Sequence, residues 1–87
     1  MPTPVVTIMP QYSGALAQKG VKGRVTVEFF IDETGAVRLP AVSAKDDTRL
    51  TVLAIDALSQ WKFAPPTSRG RGVLVKASQE FDFVNGS

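Results

Sequence analysis

Between residues 46 and 66 the chain reads DDTRLTVLAIDALSQWKFAPP, and its apolar positions recur with the period of a helix. Leu50, Leu53, Ala54, Ala57, Leu58 and Trp61 fall at the i, i+3, i+4, i+7 spacing that lines a single helix face. Asp46, Asp47 and Thr48 supply capping oxygens and negative charge where a helix start exposes unpaired N–H groups. Lys62 would stand in the last turn, where a cation suits the carbonyl end, and Pro65-Pro66 forbids continuation. The stretch predicts one amphipathic helix of about four turns, with Trp61 as its terminal aromatic anchor.

Period-2 alternation marks the strands. From Gly23 to Asp32, Val25, Val27, Phe29 and Ile31 alternate with Arg24, Thr26, Glu28 and Phe30, the pattern of a half-buried antiparallel strand. Phe30 breaks the rule by facing the polar side, where the N-terminal tail would cover it or a partner would meet it. Asp32-Glu33-Thr34-Gly35 reads as a hairpin turn, with Gly35 free to take positive φ. The return strand spans Ala36 to Ala44, with Val37, Leu39 and Ala41 on one face; Pro40 cannot donate to a ladder and signals an edge or a bulge. Residues 67–72, TSRGRG, read as a flexible basic loop. A last strand runs from Val73 to Val84, with Val73, Val75, Ala77, Gln79, Phe81 and Phe83 on one face. That length is unusual in so small a domain, so part of it should project beyond its neighbours.

The chain's start is less regular. MPTPVVTIMP carries prolines at positions 2, 4 and 10, which fits an extended tail, although Val5, Val6 and Ile8 can dock on the domain. Residues 12–19 predict a short helix with Ser13 as N-cap and Gly20 as stop. Residues 1–9 are therefore read as an extended tail or linker, 10–84 as the domain and 85–87 as a disordered tail. The expected fold is an α+β two-layer sandwich. Hairpin, helix and third strand make a three-stranded antiparallel sheet, with the main helix on one face and a short helix ahead of it. Its core would hold Val25, Val27, Phe29, Ile31, Leu50, Leu53, Ala54, Ala57, Leu58, Trp61, Phe63 and Phe83.

Composition removes most chemistries. Eighty-seven residues, 44% hydrophobic and 21% charged, make one ordinary globular domain with a limited core. Ten Lys and Arg against eight Asp and Glu leave +2, scattered except at Arg69 and Arg71, so no nucleic-acid surface is expected. With no cysteine there is no disulfide framework and no thiolate metal site. With no histidine the commonest general base and metal ligand is missing, and a conventional catalytic triad is excluded. GRG after Ser68 lacks the spacing of a phosphate loop, and Asp46-Asp47 is better read as a helix start than as a metal site. No catalytic, cofactor-binding or metal-binding residues are assigned. No apolar run reaches the length of a membrane span, so direct membrane contact is not expected of these residues.

What remains is shape. A long final strand at a sheet edge presents unpaired N–H and C=O groups. Such an edge is protected, self-paired in a dimer, or used to capture an extended peptide by strand addition. Val52 and Ile55, off the core stripe, add a small apolar patch.

Several of these residues together resemble a known family. They are Pro10-Gln11-Tyr12; Gly20-Val21-Lys22-Gly23 leading into a Val/Phe strand; and Ile31-Asp32 with Gly35 and Val37. Ala54, Ala57, Trp61, Phe63 and Pro65 follow, then Gly72-Val73 and Phe81. This set, over about residues 10–83, is similar to the C-terminal domain of TonB, the periplasm-spanning energy transducer of Gram-negative bacteria. Ser13 departs from it, standing where the family usually carries proline. The resemblance implies a periplasmic domain of a longer protein, anchored by an inner-membrane helix, driven by a proton-powered motor complex and joined through a proline-rich linker. It implies capture of the N-terminal box peptide of an outer-membrane active transporter, such as one for iron-siderophore or cobalamin. The peptide would add beside Val73, Leu74, Val75, Lys76, Ala77, Ser78, Gln79, Glu80 and Phe81, with Gln11 and Tyr12 in contact. Lys76, Ser78 and Glu80 would tune selection. The rival reading is an assembly domain that dimerises or connects envelope proteins through its last strand, without transporter coupling.

Overall fold

A computed structural model of the chain describes residues 2–43 and 45–84. The expected end of the second strand at Ala44 and the tail at 85–87 lie outside the described residues, as does Met1. In chain order the elements are β1 (Pro4–Val6), α1 (Gly14–Gln18), β2 (Gly23–Ile31), β3 (Val37–Val42), α2 (Thr48–Ser59), β4 (Lys62–Phe63), β5 (Thr67–Ser68), β6 (Arg71–Gly72) and β7 (Val75–Phe83). The main sheet is antiparallel in the order β3-β2-β7, with α2 packed on the face where β2 places Val25, Val27, Phe29 and Ile31. This is the expected α+β sandwich.

β2 takes the centre because every second residue is apolar and meets the helix, while Arg24, Thr26 and Glu28 remain exposed. Leu50, Ala54, Ala57 and Leu58 of α2 are buried, as are Trp61, Phe63, Phe81 and Phe83. Removing each large side chain from water contributes about 1.5–3 kcal/mol. Three positions differ from the helical stripe. Leu53 is only half-buried at the core margin, Thr51 is buried with its hydroxyl donating to Thr48 O at 2.9 Å, and Val21 joins the core from outside any element.

The helix is shorter than its pattern. Asp47 caps it, accepting from Arg49 N–H at 2.8 Å, but the last helical residue is Ser59 and Gln60 is the C-cap. Trp61 therefore follows the helix, and Lys62 is not in its last turn. The cause is tertiary: Phe63 N–H donates to Gly35 O at 2.9 Å, and Lys62 bridges Ala36, so the hairpin turn claims this backbone well before Pro65.

β3 contains the bulge that Pro40 signalled. Ile31 faces Val37 and Val27 faces Val42, so four steps on β2 match five on β3. The extra residue reverses the alternation. Val37 and Val42 are half-buried, whereas Leu39 (75% exposed) and Ala41 point away, contrary to the flat register. Leu39 has φ 52°, a left-handed conformation that a leucine adopts at a cost.

The short helix α1 forms as expected, with Ser13 Oγ accepting from Leu16 N–H at 3.3 Å. Ser13 has φ −74°, a value proline also adopts, so the departure from the family residue leaves the local path intact. The helix closes with paired bonds, Gly20 N–H to Ala17 O and Val21 N–H to Leu16 O, which bring Val21 onto Leu16. Two further expectations change. Residues 67–72 form a tight hairpin, β5 against β6, because Arg69 and Gly70 both take the positive φ of a type I′ turn. The tail does not simply trail: β1 pairs with β4, while the cross-strand neighbours of Phe30 are Arg38 and Lys76.

Candidate functional site

β7 is matched residue for residue to β2, from Ile31 opposite Val75 to Gly23 opposite Phe83, so it does not overshoot its neighbour. Nine residues take part rather than twelve. Val73 and Leu74 precede the strand: Val73 N–H donates to Pro66 O at 3.1 Å, and Leu74 is exposed. Among the described residues β2 is the only strand paired with β7, which leaves the opposite edge as the sheet border. In an antiparallel strand alternate residues turn their N–H and C=O outward, so this border carries a row of main-chain donors and acceptors.

The border opens onto a groove of about 410 Å³. Residues 79–84 form one side; Met9, Pro10, Tyr12 and Trp61 form the rest. Trp61 contacts Phe81 edge-on, with ring centroids 5.8 Å apart, and its indole N–H donates to Ile8 O at 2.9 Å. Tyr12 stands edge-on to Phe83 at 5.4 Å while its hydroxyl donates to Val21 O at 2.6 Å. Both aromatic residues thus pack their rings against β7 and find partners for their polar atoms.

The candidate residues on β7 divide by face. Val75, Ala77, Gln79 and Phe81 turn toward the helix side, with Phe81 buried; Lys76, Ser78 and Glu80 are exposed on the other. Phe81, 6% exposed, therefore offers a guest chiefly its backbone. Tyr12 lines the groove, but Gln11 is exposed and does not. Met9, Pro10, Trp61, Asp82, Phe83 and Val84 also line it, beyond the binding residues that the resemblance implies. Only Trp61 carried a signal, since a buried indole N–H requires an acceptor.

Charges at the site are sparse. Arg24 Nε meets Asp82 at 2.7 Å and Glu80 at 3.5 Å across the outer sheet face. The hydrogen bond to Asp82, then the two nearby carboxylates, hold the guanidinium above its usual range. The Asp32 carboxylate is held well below the ordinary range, first by the Thr34 hydroxyl, then by Arg38 and by Ala36 N–H. Its oxygens are committed to the turn, as expected of an Asp at such a tip. Among the described residues no group of three or more Asp or Glu gathers as a metal cage. The site offers shape, aromatic surface and main-chain hydrogen bonds.

A family profile described as Gram-negative bacterial TonB protein C-terminal matches residues 9–84. A solution NMR structure of the Pseudomonas aeruginosa TonB C-terminal domain is similar in fold, with a TM-score of 0.80 and 25% identity; the match covers 99% of this chain and 88% of that one. A comparison with curated proteins gives no match.

Proposed function

The chain belongs to the family of Gram-negative bacterial TonB protein C-terminal domains, periplasmic domains of TonB-type energy transducers, and on that footing we propose that it captures the extended box peptide of an outer-membrane active transporter as an added strand along β7. The observation that carries the reading is the unpaired border of β7 facing an apolar groove. Main-chain hydrogen bonds along an added strand give affinity that tolerates sequence change, so one domain can serve several transporters. A pull along the strand loads several such bonds together. Outward residues Lys76, Ser78 and Glu80 flank the guest's alternate side chains and tune selection among them. The parent protein would draw its energy from a proton-driven motor complex at the inner membrane and spend it on uptake of cargo such as iron-siderophore or cobalamin. Among the described residues no helix is long and apolar enough to cross a membrane, so anchoring would fall to another part of that protein.

Titration with a box-like extended peptide, followed by backbone amide shifts, tests the reading. Shifts should cluster at residues 75–83 and at Met9 and Tyr12. Shifts confined to the 67–72 hairpin, or a tight dimer that pairs β7 with a second copy and ignores the peptide, would overturn it in favour of an assembly role.

A further inference from the structure

The groove's second wall is the chain's own N-terminal segment, which comes near β7 at both of its ends. Pro2 and Thr3 line a depression with residues 64–67 and Val75, where β7 begins. Met9 and Pro10 line the main groove with residues 79–84, where β7 finishes. Residues 2–10 therefore meet β7 first at its start and then at its finish, in the order of the strand. Few contacts hold them. Ala64 N–H donates to Thr3 O at 2.9 Å, Pro4 and Val6 pair with Phe63 and Lys62, and Trp61 Nε1–H donates to Ile8 O at 2.9 Å. Val5, Val6 and Met9 are exposed, so apolar support for these bonds comes chiefly from Ile8, half-buried against the core. These bonds and strand pairs all fall on residues 61–64, and of these Trp61 alone also lines the groove and contacts β7, through Phe81.

We propose that Trp61 is a positioning residue for guest capture: its indole N–H pins residues 2–10 as the groove's outer wall, and wall docking and guest binding are coupled through it. The proposal rests on β7 being the receiving edge. A guest laid between β7 and this segment meets Met9 and Pro10 already in place, so less ordering is left to its own binding step. Linkage makes the effect reciprocal: the guest must tighten the wall by the same factor by which the wall tightens the guest.

The test uses the whole chain and a synthetic decapeptide of alternating valine and threonine as the probe. Trp61→Phe keeps an aromatic ring and removes the N–H. Val6→Pro takes an N–H out of β1 at an exposed position and leaves the core alone. Exchange of the Ala64 amide reports wall docking, exchange of the β2 amides reports the sheet, and peptide titration reports capture. Both variants should speed Ala64 exchange and weaken the peptide by about fivefold or more, with β2 protection retained. In the unaltered chain, saturating peptide should slow Ala64 exchange. Peptide affinity unchanged in both variants, or Ala64 exchange indifferent to the peptide, overturns the coupling while strand addition stands. An unaltered chain that does not bind the peptide along β7 removes strand addition itself, and the coupling with it.

Discussion

Gly35 and Phe63 lock the hairpin turn to the segment that follows the helix. Phe63 N–H donates to Gly35 O at 2.9 Å, and Phe63 O occupies the space that a Cβ on Gly35 would need. Gly35 also holds φ 88°, a conformation that disfavours any side chain. Gly35→Ala should therefore destabilise the domain by roughly 2–4 kcal/mol, more than the strain of positive φ alone, because backbone must also move. Chemical denaturation measures the loss. A change below about 0.5 kcal/mol would show that the two segments separate without penalty.

Trp61 is 7% exposed and contacts both Phe63 and Phe81. Trp61→Ala removes the largest side chain of the core and should cost roughly 3–5 kcal/mol. Val52→Ala, on α2 at a position 60% exposed, should stay within about 0.5 kcal/mol. Denaturant midpoints for the two variants, at equal slope, provide the comparison.

Acid should weaken the fold through Asp32 and Asp47. Both carboxylates ionise below the free value of 3.8 in the folded chain, Asp32 through Thr34, Arg38 and Ala36, Asp47 through its bonds from Arg49. The unfolded chain then binds more protons over that range. The stabilisation is complete above about pH 5 and is lost as pH falls through 4 toward the depressed folded values. Asp32→Asn should lower stability at pH 7 and flatten the acid limb without abolishing it, since Asp47 still titrates. Denaturation midpoints between pH 7 and 2 would show an unchanged slope if the Asp32 bonds contributed nothing.

Leu39 offers a gain. It is 75% exposed at φ 52° in the β3 bulge, so its side chain adds little burial while its backbone carries strain. Asparagine tolerates the left-handed region, and Leu39→Asn should raise stability by about 0.5–1 kcal/mol. A thermal midpoint that falls would mean the exposed leucine makes contacts that outweigh the strain.

Features legible in the residue pattern are those that short-range physics controls. Alternation through Val25, Val27, Phe29 and Ile31 specified the central strand, and the Leu50, Ala54, Ala57, Leu58 stripe specified the helix, because side-chain direction repeats with local backbone geometry. The Asp47 and Ser13 caps and the Asp32–Gly35 turn were legible for the same reason: each is closed by hydrogen bonds across a few residues. On β7, parity alone placed Phe81 and Phe83 inward and Lys76, Ser78 and Glu80 outward.

Other features depended on which distant backbone a segment meets, and local pattern carries no record of that. The stripe through Trp61 continues the helical period, yet the helix stops at Ser59 because Gly35 and Ala36 bind the chain just beyond it. Leu39 and Ala41 look inward until a bulge, set by pairing with β2, reverses them. A proline-rich start reads as linker, but Phe63, Lys62 and the Trp61 indole give it acceptors and donors to meet, and it becomes a groove wall. Side-chain period is a property of each residue and its near neighbours. Pairing partners are chosen by the whole chain folding around one small core, and that choice converted a solitary edge strand into a bounded groove.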